Sequence, residues 1–484
     1  MNKKGLFIRK SIHGHFDDVE EGGQRLKKHL GSFHLTAIGI GAIIGAGIFV
    51  ITGEAAADYA GPAVVLSFVI AAIICLFAGL CYAELASLIP IAGGSYSYAY
   101  VAMGEFAAWL VGWILTAQYI ISASTVAVGW SGYFVSLLND LGVFLPSALT
   151  NAPLDYLPDS GWQWTGALLN LPAALLIIFI AGMISVGIRA VSYFNNIMVF
   201  IKIATVLLFI VLGIFFINTA NWVPFIPENT GHFGHFGWSG ILRGAGLVFF
   251  AYIGFDTVST LAQDAKNPQR DLPRGILGSL GICTIAYIST ALILTGIVSY
   301  KLLNVPDPMS IALAAMGPKF FWFKFLVKIA ILAGLASVVL VQILGQTRIF
   351  LAIAKDGLLP KPFAHVTQSV GTPIFNTCII MLVAFLAAGI LPVPVLGQLV
   401  SMVTLFLFSI VCLGVLILRK THSEYKRPFR VPFVPLVPCL GILFCCAQMA
   451  FLPLTTWMQF TSWLVLGLVC YFFYGIKHSR LRLK

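Results

Sequence analysis

Long apolar runs constrain this chain more than any other feature. Twelve of them follow one another between residues 34 and 474, each near the ~20 residues that a helix needs to cross a hydrocarbon core. A backbone in lipid must satisfy its own polar groups, so runs of this length read as membrane helices. The fold class is an all-α polytopic membrane protein. We place the runs at about 34–58, 62–88, 105–138, 166–186, 191–217, 239–262, 274–299, 320–354, 373–391, 396–419, 433–452 and 456–474. The third and eighth are long enough to tilt strongly or to continue into water. Only 10% of the residues are charged, against about 25% in soluble domains, and mean hydropathy is +0.95.

A formal charge of +11 would suit a nucleic-acid partner, but its placement points to the bilayer instead. Lys3, Lys4, Arg9, Lys10, Arg25, Lys27 and Lys28 fill an N-terminal arm, residues 1–31. Alternate loops carry Arg189; Lys266, Arg270 and Arg274; Lys355 and Lys361; and Arg419, Lys420, Lys426, Arg427 and Arg430. The tail, 475–484, adds Lys477, Arg480, Arg482 and Lys484. The opposite loops 139–165 and 218–238 have no Lys or Arg, with Lys301, Lys319 and Lys324 as the exception in the seventh. Under the positive-inside rule both termini are expected in the cytoplasm. The nine cysteines, an odd number set in or beside apolar runs, are expected as free thiols. The first 30 residues are polar and lack an apolar signal core, so no cleaved signal peptide is expected.

Within the first run, Gly39 to Phe49 reads GIGAIIGAGIF, with glycine at four of eleven positions. Each glycine costs a helix interior roughly 0.5–1 kcal/mol relative to alanine. One reading is close helix packing through the Gly41/Gly45 pair. The other is a deliberate break near Gly45-Ala46-Gly47, exposing backbone groups that must line a cavity or hold a ligand. The sixth run decides between them. It reads GLVFFAYIGFDTVST, and Gly254 and Asp256 interrupt it. Five spans separate the two interruptions, so repeats starting at each would have opposite topology. Paired Gly-interrupted helices in corresponding halves mark an inverted-repeat secondary transporter with its site near the midplane.

Other polar residues are open to more than one reading. Gly93-Gly94-Ser95-Tyr96 is either a solvated turn or part of an inner gate. Lys266 to Pro273 is a charged turn joining the sixth and seventh runs. Gln118 and Gln342 suit interhelical hydrogen bonds or the lining of a pocket. His232 and His235, with Glu228 nearby, lack the further ligands that a metal site needs, so no metal is expected. Lys202 lies about 16 Å from one end of the fifth run at 1.5 Å per residue. Its stem cannot easily reach water from there, so its ammonium needs a partner or must give up its proton. No run offers a Ser/His/Asp set, an HExxH or paired carboxylates, which argues against an enzyme.

GIGAIIGAGIF, YAELASLIP, STVAVGWSGYF, NNIMVFIKIA, FFAYIGFD, KNPQRDLP, GQTRIF with KDGLLP, and KRPFRVPFVPLVPCLGILFC together resemble bacterial amino acid permeases of the amino acid–polyamine–organocation superfamily. Within it they look most like the cationic amino acid transporter branch. The resemblance covers nearly all of the chain after residue 30. It implies a LeuT-type fold of 5+5 inverted helices with discontinuous helices 1 and 6. The repeats would cover 32–217 and 239–419, followed by two peripheral helices over 433–474.

By the same resemblance, a substrate carboxylate would meet backbone N–H groups at Ala46 and Gly47, and its ammonium the carbonyls of Ile43, Phe250 and Ile253. Phe250 would cover it. Asp256 would supply negative charge below, and Lys202 would stand where ion-coupled relatives hold sodium. The function implied is proton-coupled symport of amino acids in the bacterial inner membrane, with no cofactor and no sodium. Amino acid exchange is the alternative, and a non-transporting sensor is weakened by the lack of a signalling domain. Relatives that carry cationic substrates often place glutamates in stretches such as LEY and AEE. Here those stretches are Ala117-Gln118-Tyr119 and Ala262-Gln263-Asp264. A cationic side chain would lose a charge-assisted partner at each, so neutral or broad substrates are expected.

Overall fold

The structure, a computed structural model, describes residues 8–9, 30–90, 93–157, 161–186, 188–262, 265–367 and 372–483. Most of the arm expected over 1–31 falls outside these residues, as do Gln263 and Asp264. Helices occupy the apolar runs: α1 Ser32–Ile43, α2 Val64–Leu88, α3 Ser95–Ala102, α4 Glu105–Asp140, α5 Leu171–Val186, α6 Ile188–Gly213 and α7 Gly237–Val248. They continue with α8 Pro268–Ile297, α9 Pro308–Ala315, α10 Phe321–Lys355, α11 Ile374–Ile390, α12 Val393–Thr421, α13 Leu436–Ala450 and α14 Leu454–Cys470. Among the described residues, 8 helical stretches are long and apolar enough to cross a membrane. Four shorter apolar helices, α1, α5, α11 and α13, accompany them. The molecule is a predominantly helical integral membrane protein.

The two longest helices are α4 and α10, with 36 and 35 residues. At 1.5 Å per residue each is about 53 Å long, well beyond a ~30 Å hydrocarbon core. They pack against each other, α12 packs on α4, and α8 packs on both α1 and α2. The fourth run turns helical at Leu171, later than the 166 expected from the sequence. Asn170 caps that helix, accepting from the Ala173 N–H at 3.3 Å, and a cap of this kind favours starting there. Ahead of it, antiparallel strands β1 Leu154–Leu157 and β2 Gly161–Trp164 pair with Leu154 opposite Trp164.

Two buried carboxylates organise one face of the molecule. Glu84 of α2 accepts from Arg419 at 2.8 and 2.6 Å and from the Val431 N–H at 2.7 Å. Glu105, at the start of α4, accepts from Arg482 at 2.8 Å, from the Tyr471 hydroxyl at 3.0 Å and from Ser479. A buried charge is tolerated when it is paired and hydrogen-bonded in this way. The Glu105 N–H also donates to the Ile8 carbonyl at 2.9 Å. Residue 8 and the tail therefore meet on the same face.

Candidate functional site

The first apolar run is not one helix. α1 stops at Ile43, and Ile44 is extended with φ −69° and ψ 106°. The chain resumes at Gly47 as a wide π-type turn to Ile51. The sixth run breaks by a different route. α7 narrows to a 3-10 turn over Phe249–Tyr252, Ile253 is extended, and Gly254 takes φ +128° before a second 3-10 stretch, Phe255–Leu261. A left-handed φ of that kind favours glycine.

The two breaks touch backbone to backbone. A Cβ on Gly47 would fall inside the van der Waals radius of the Ala251 backbone. A Cβ on Gly254 would lie 2.7 Å from the Ala42 carbonyl oxygen. The packing reading of Gly41 and Gly45 is thus incomplete: the glycines that decide the geometry, Gly47 and Gly254, are those at which broken segments meet.

Between the breaks lies a narrow cavity of about 10 Å³, room for about one water molecule. Ile43, Ala46, Gly47, Phe250, Ile253 and Gln342 all line it, so six of the seven residues assigned to substrate contact from the sequence converge there. Ala42 and Gly45 of the first break, Ser122 and Val126 of α4 and Val338 of α10 complete its walls. Gln342 crosses from α10 to donate to the Ser122 hydroxyl at 3.1 Å. The seventh residue, Gln118, lies outside the lining. It sits one helical turn before Ser122 and donates to Asp256 Oδ2 at 3.4 Å.

Lys202 reaches from α6 to the open carbonyl end of α1. Its Nζ donates to the Gly41 carbonyl, to the Ile44 carbonyl at 3.1 Å and to Ser337 Oγ at 3.4 Å. Ser337 spends its own proton on the Gly334 carbonyl at 2.8 Å, so its oxygen is an acceptor toward Lys202. Three acceptors match the three protons of an ammonium. No ion pair joins Lys202 to Asp256 among the described residues. Asp256 is instead buried near Gln118, and its Oδ1 has no hydrogen-bond partner.

Tyr287 of α8 escapes the sequence reading, since one tyrosine in an apolar run carries no pattern. Its hydroxyl lies 2.9 Å from the Ile43 carbonyl and 2.7 Å from the Ala251 carbonyl, one on each broken segment. A hydroxyl has one proton, so it satisfies one of these carbonyls at a time. Ser122, Val126 and Val338 also escape it, because only the fold brings α4 and α10 to the breaks.

The Gly93–Tyr96 stretch is no solvated turn. It opens α3, whose residues are buried, and the Tyr96 hydroxyl donates to Asp356 Oδ2 at 2.7 Å, tying α3 to the residue that ends α10. Lys266 to Pro273 begins α8: Asp271 accepts from the Asn267 N–H at 3.1 Å, and the Lys266 N–H donates to the Leu30 carbonyl at 2.8 Å. His235 stacks on Tyr59 with ring centroids 5.9 Å apart.

Two interrupted helices therefore close on one small cavity, and comparison with known proteins shows the family to which such a chain belongs. The sequence matches the amino acid permease family over residues 30–474. It is 44% identical over 456 residues to the methylthioribose transporter of Bacillus subtilis, covering 94% of this chain and 95% of that one. It is 41% identical over 480 residues to the branched-chain amino acid permease BcaP of the same organism, covering 99% of each. It is also 37% identical over 428 residues to the vacuolar cationic amino acid transporter 4 of Arabidopsis thaliana, covering 88% of this chain and 68% of the relative. The chain belongs to the amino acid permease family. It is a transporter and not an enzyme.

Proposed function

We propose that this protein is a proton-coupled amino acid symporter working by alternating access across the bacterial inner membrane, with both termini in the cytoplasm. One observation carries the reading: a cavity closed between two broken helices, with the Lys202 ammonium on the carbonyl end of the first. A LeuT-type 5+5 repeat of twelve spans accounts for several features at once. The breaks fall five runs apart, and so do the two longest helices, α4 and α10. Residue 8 and the tail share a face, as an even number of spans requires.

The substrate's carboxylate meets the start of the helix at Gly47, where unsatisfied N–H groups favour an anion. Its ammonium meets carbonyls of the broken segments. Apart from the Ser122–Gln342 pair, the described side chains facing it are apolar, and among the described residues no carboxylate lines the cavity. A neutral side chain, aliphatic in character, matches the chemistry of this lining best. The substrates for which the relatives are named differ among themselves, so the cavity is the better guide. Lys202 holds the first break while protonated and releases it when neutral, which couples uptake to a proton.

The test is a thermal-shift screen of the detergent-purified protein against the amino acids, followed by uptake in proteoliposomes. A ligand at 100 times its Kd stabilises the native state by about 2.7 kcal/mol. Neutral aliphatic amino acids should shift the transition, and an inward proton gradient should drive their accumulation. Accumulation driven only by a counter-substrate on the other side would replace symport with exchange.

A further inference from the structure

α8 begins with Pro268-Gln269-Arg270-Asp271-Leu272-Pro273-Arg274. Asp271 turns inward and is buried, while Arg270 and Arg274, four residues apart, project outward and are exposed. With Pro428 and Phe429 from the loop before α13, these arginines wall a groove of about 670 Å³ whose remaining sides include Pro273 and Leu277. Among the described residues no carboxylate lines it and neither guanidinium takes part in an ion pair. Just ahead of α8, the Lys266 N–H donates to the Leu30 carbonyl and Leu30 pairs with Ala265.

Below the arginines the same face of α8 turns apolar, and beyond Gly278, which faces Thr36 of α1, it is uncovered. Residues at 274, 278, 282 and 285 share a stripe at helical spacing. Gly281 has nothing within 4 Å of its Cβ position, and Ile282 and Ile285 are 50% and 69% exposed. From Arg274 to Ile285 the stripe runs about 16 Å at 1.5 Å per residue. A cationic head above a smooth apolar track matches an anionic head above acyl chains. A soluble phosphate would use the head and leave Leu277, Pro428 and Phe429 wet.

We propose that this groove binds an anionic glycerophospholipid, its phosphodiester on Arg270 and Arg274 and its acyl chains along Leu277, Ile282 and Ile285. Guanidinium groups suit phosphate oxygens because they offer paired donors in a plane. Basic pockets at the membrane boundary capture lipid headgroups by this chemistry. The bound lipid borders α1 as well, since a Cβ on Gly278 would lie 3.2 Å from Thr36 Oγ1.

The test is native mass spectrometry of the full-length protein in detergent, titrated with phosphatidylglycerol or phosphatidylcholine of matched acyl chains. The wild type should retain phosphatidylglycerol in preference. Arg270→Gln/Arg274→Gln should bind it about 30-fold more weakly, at roughly one such arginine contribution each, with an unchanged melting temperature in lipid-free detergent. Arg270→Lys/Arg274→Lys should keep most of the preference. Arg430→Gln, exposed on the neighbouring loop but outside the groove, should leave it intact. Equal retention of the two lipids by the wild type would overturn the proposal, as would an undiminished preference in the double Gln variant. Millimolar inorganic phosphate displacing the lipid would make this a soluble-anion site, and a loss in Arg430→Gln equal to that of the double variant would reduce it to diffuse surface charge.

Discussion

The two interruptions face the same cavity, yet they handle their exposed backbone in different ways. At the first, α1 ends abruptly and side chains from other helices take up its loose carbonyls: Lys202 holds Gly41 and Ile44, and Tyr287 bonds to Ile43. At the second, the chain tightens into 3-10 turns on either side of Gly254 and satisfies much of itself locally, with the Ile253 N–H on the Phe250 carbonyl at 3.2 Å. What the second break leaves over is side-chain capacity. Asp256 Oδ1 and Gln118 Oε1 are buried with no hydrogen-bond partner. The first break is therefore closed by the Lys202 side chain, and the second leaves acceptors free for a donor. Under the function proposed, the first is the switch and the second the receiver.

The comparison is broken most completely at the point where the segments touch. Gly47→Val would drive a branched side chain into the Ala251 backbone. Overpacking of a filled site costs about 1–3 kcal/mol and displaces the backbone, here the N–H groups that would hold the substrate carboxylate. The expected outcome is loss of ligand-induced thermal stabilisation, with expression and monodispersity preserved. A Gly47→Val protein that binds amino acids normally would return the glycine stretch to plain helix packing.

Lys202 is the next largest. Lys202→Ala leaves the Gly41 and Ile44 carbonyls without their donor inside a buried site, and unsatisfied buried groups cost about 1–3 kcal/mol each. Proton-driven accumulation should disappear, while Lys202→Met, which keeps the stem's volume, should still bind substrate. In the wild type, uptake should rise as external pH falls, because a protonated Lys202 holds the first break ready, and sodium should make no difference. Full, pH-dependent accumulation by Lys202→Ala in liposomes would assign the coupling elsewhere.

Tyr287→Phe removes the single proton shared between Ile43 and Ala251 and nothing of the ring's packing. If that hydroxyl positions both segments for the substrate ammonium, KM should rise about tenfold, or roughly 1.4 kcal/mol, with little change in melting temperature. A large fall in stability with an unchanged KM would show that the hydroxyl serves the fold alone.

These differences explain what could be read before any coordinates. The breaks were legible because glycine inside an apolar run is costly and an aspartate there more so, which marks Gly45–Gly47 and Gly254–Asp256 locally. Lys202 was legible for the same reason, since a charge deep in an apolar run has nowhere to hide. Ser122, Val338 and Tyr287 were not. They are ordinary residues in ordinary helices and gain meaning only when α4, α8 and α10 converge on the breaks. The buried partners of Glu84 and Glu105 were hidden likewise, because each carboxylate pairs with a residue more than 300 positions away.

The smallest expected effect tests where Gln118 belongs. From sequence it reads as an interhelical hydrogen-bonding residue or a pocket residue, and in the pocket a glutamate there would be expected to invite lysine or arginine as substrate. In the structure it bonds to Asp256 and does not line the cavity, whereas Gln342 does. Gln118→Glu would put a second carboxylate within hydrogen-bonding distance of Asp256, and two such groups cannot both ionise readily. The pair would hold a shared proton and offer little net charge to a substrate. Gln118→Glu should therefore alter the pH dependence of uptake while changing the preference for cationic over neutral amino acids by less than about threefold, under 1 kcal/mol. Gln342→Glu places the charge in the lining, beside Ser122, and should shift the preference toward cationic substrates by about tenfold or more. Competition assays with a labelled neutral substrate read both variants. Should Gln118→Glu produce the larger shift, the cavity that binds substrate extends past Ser122 to the second break's spare acceptors, and switch and receiver would share one site.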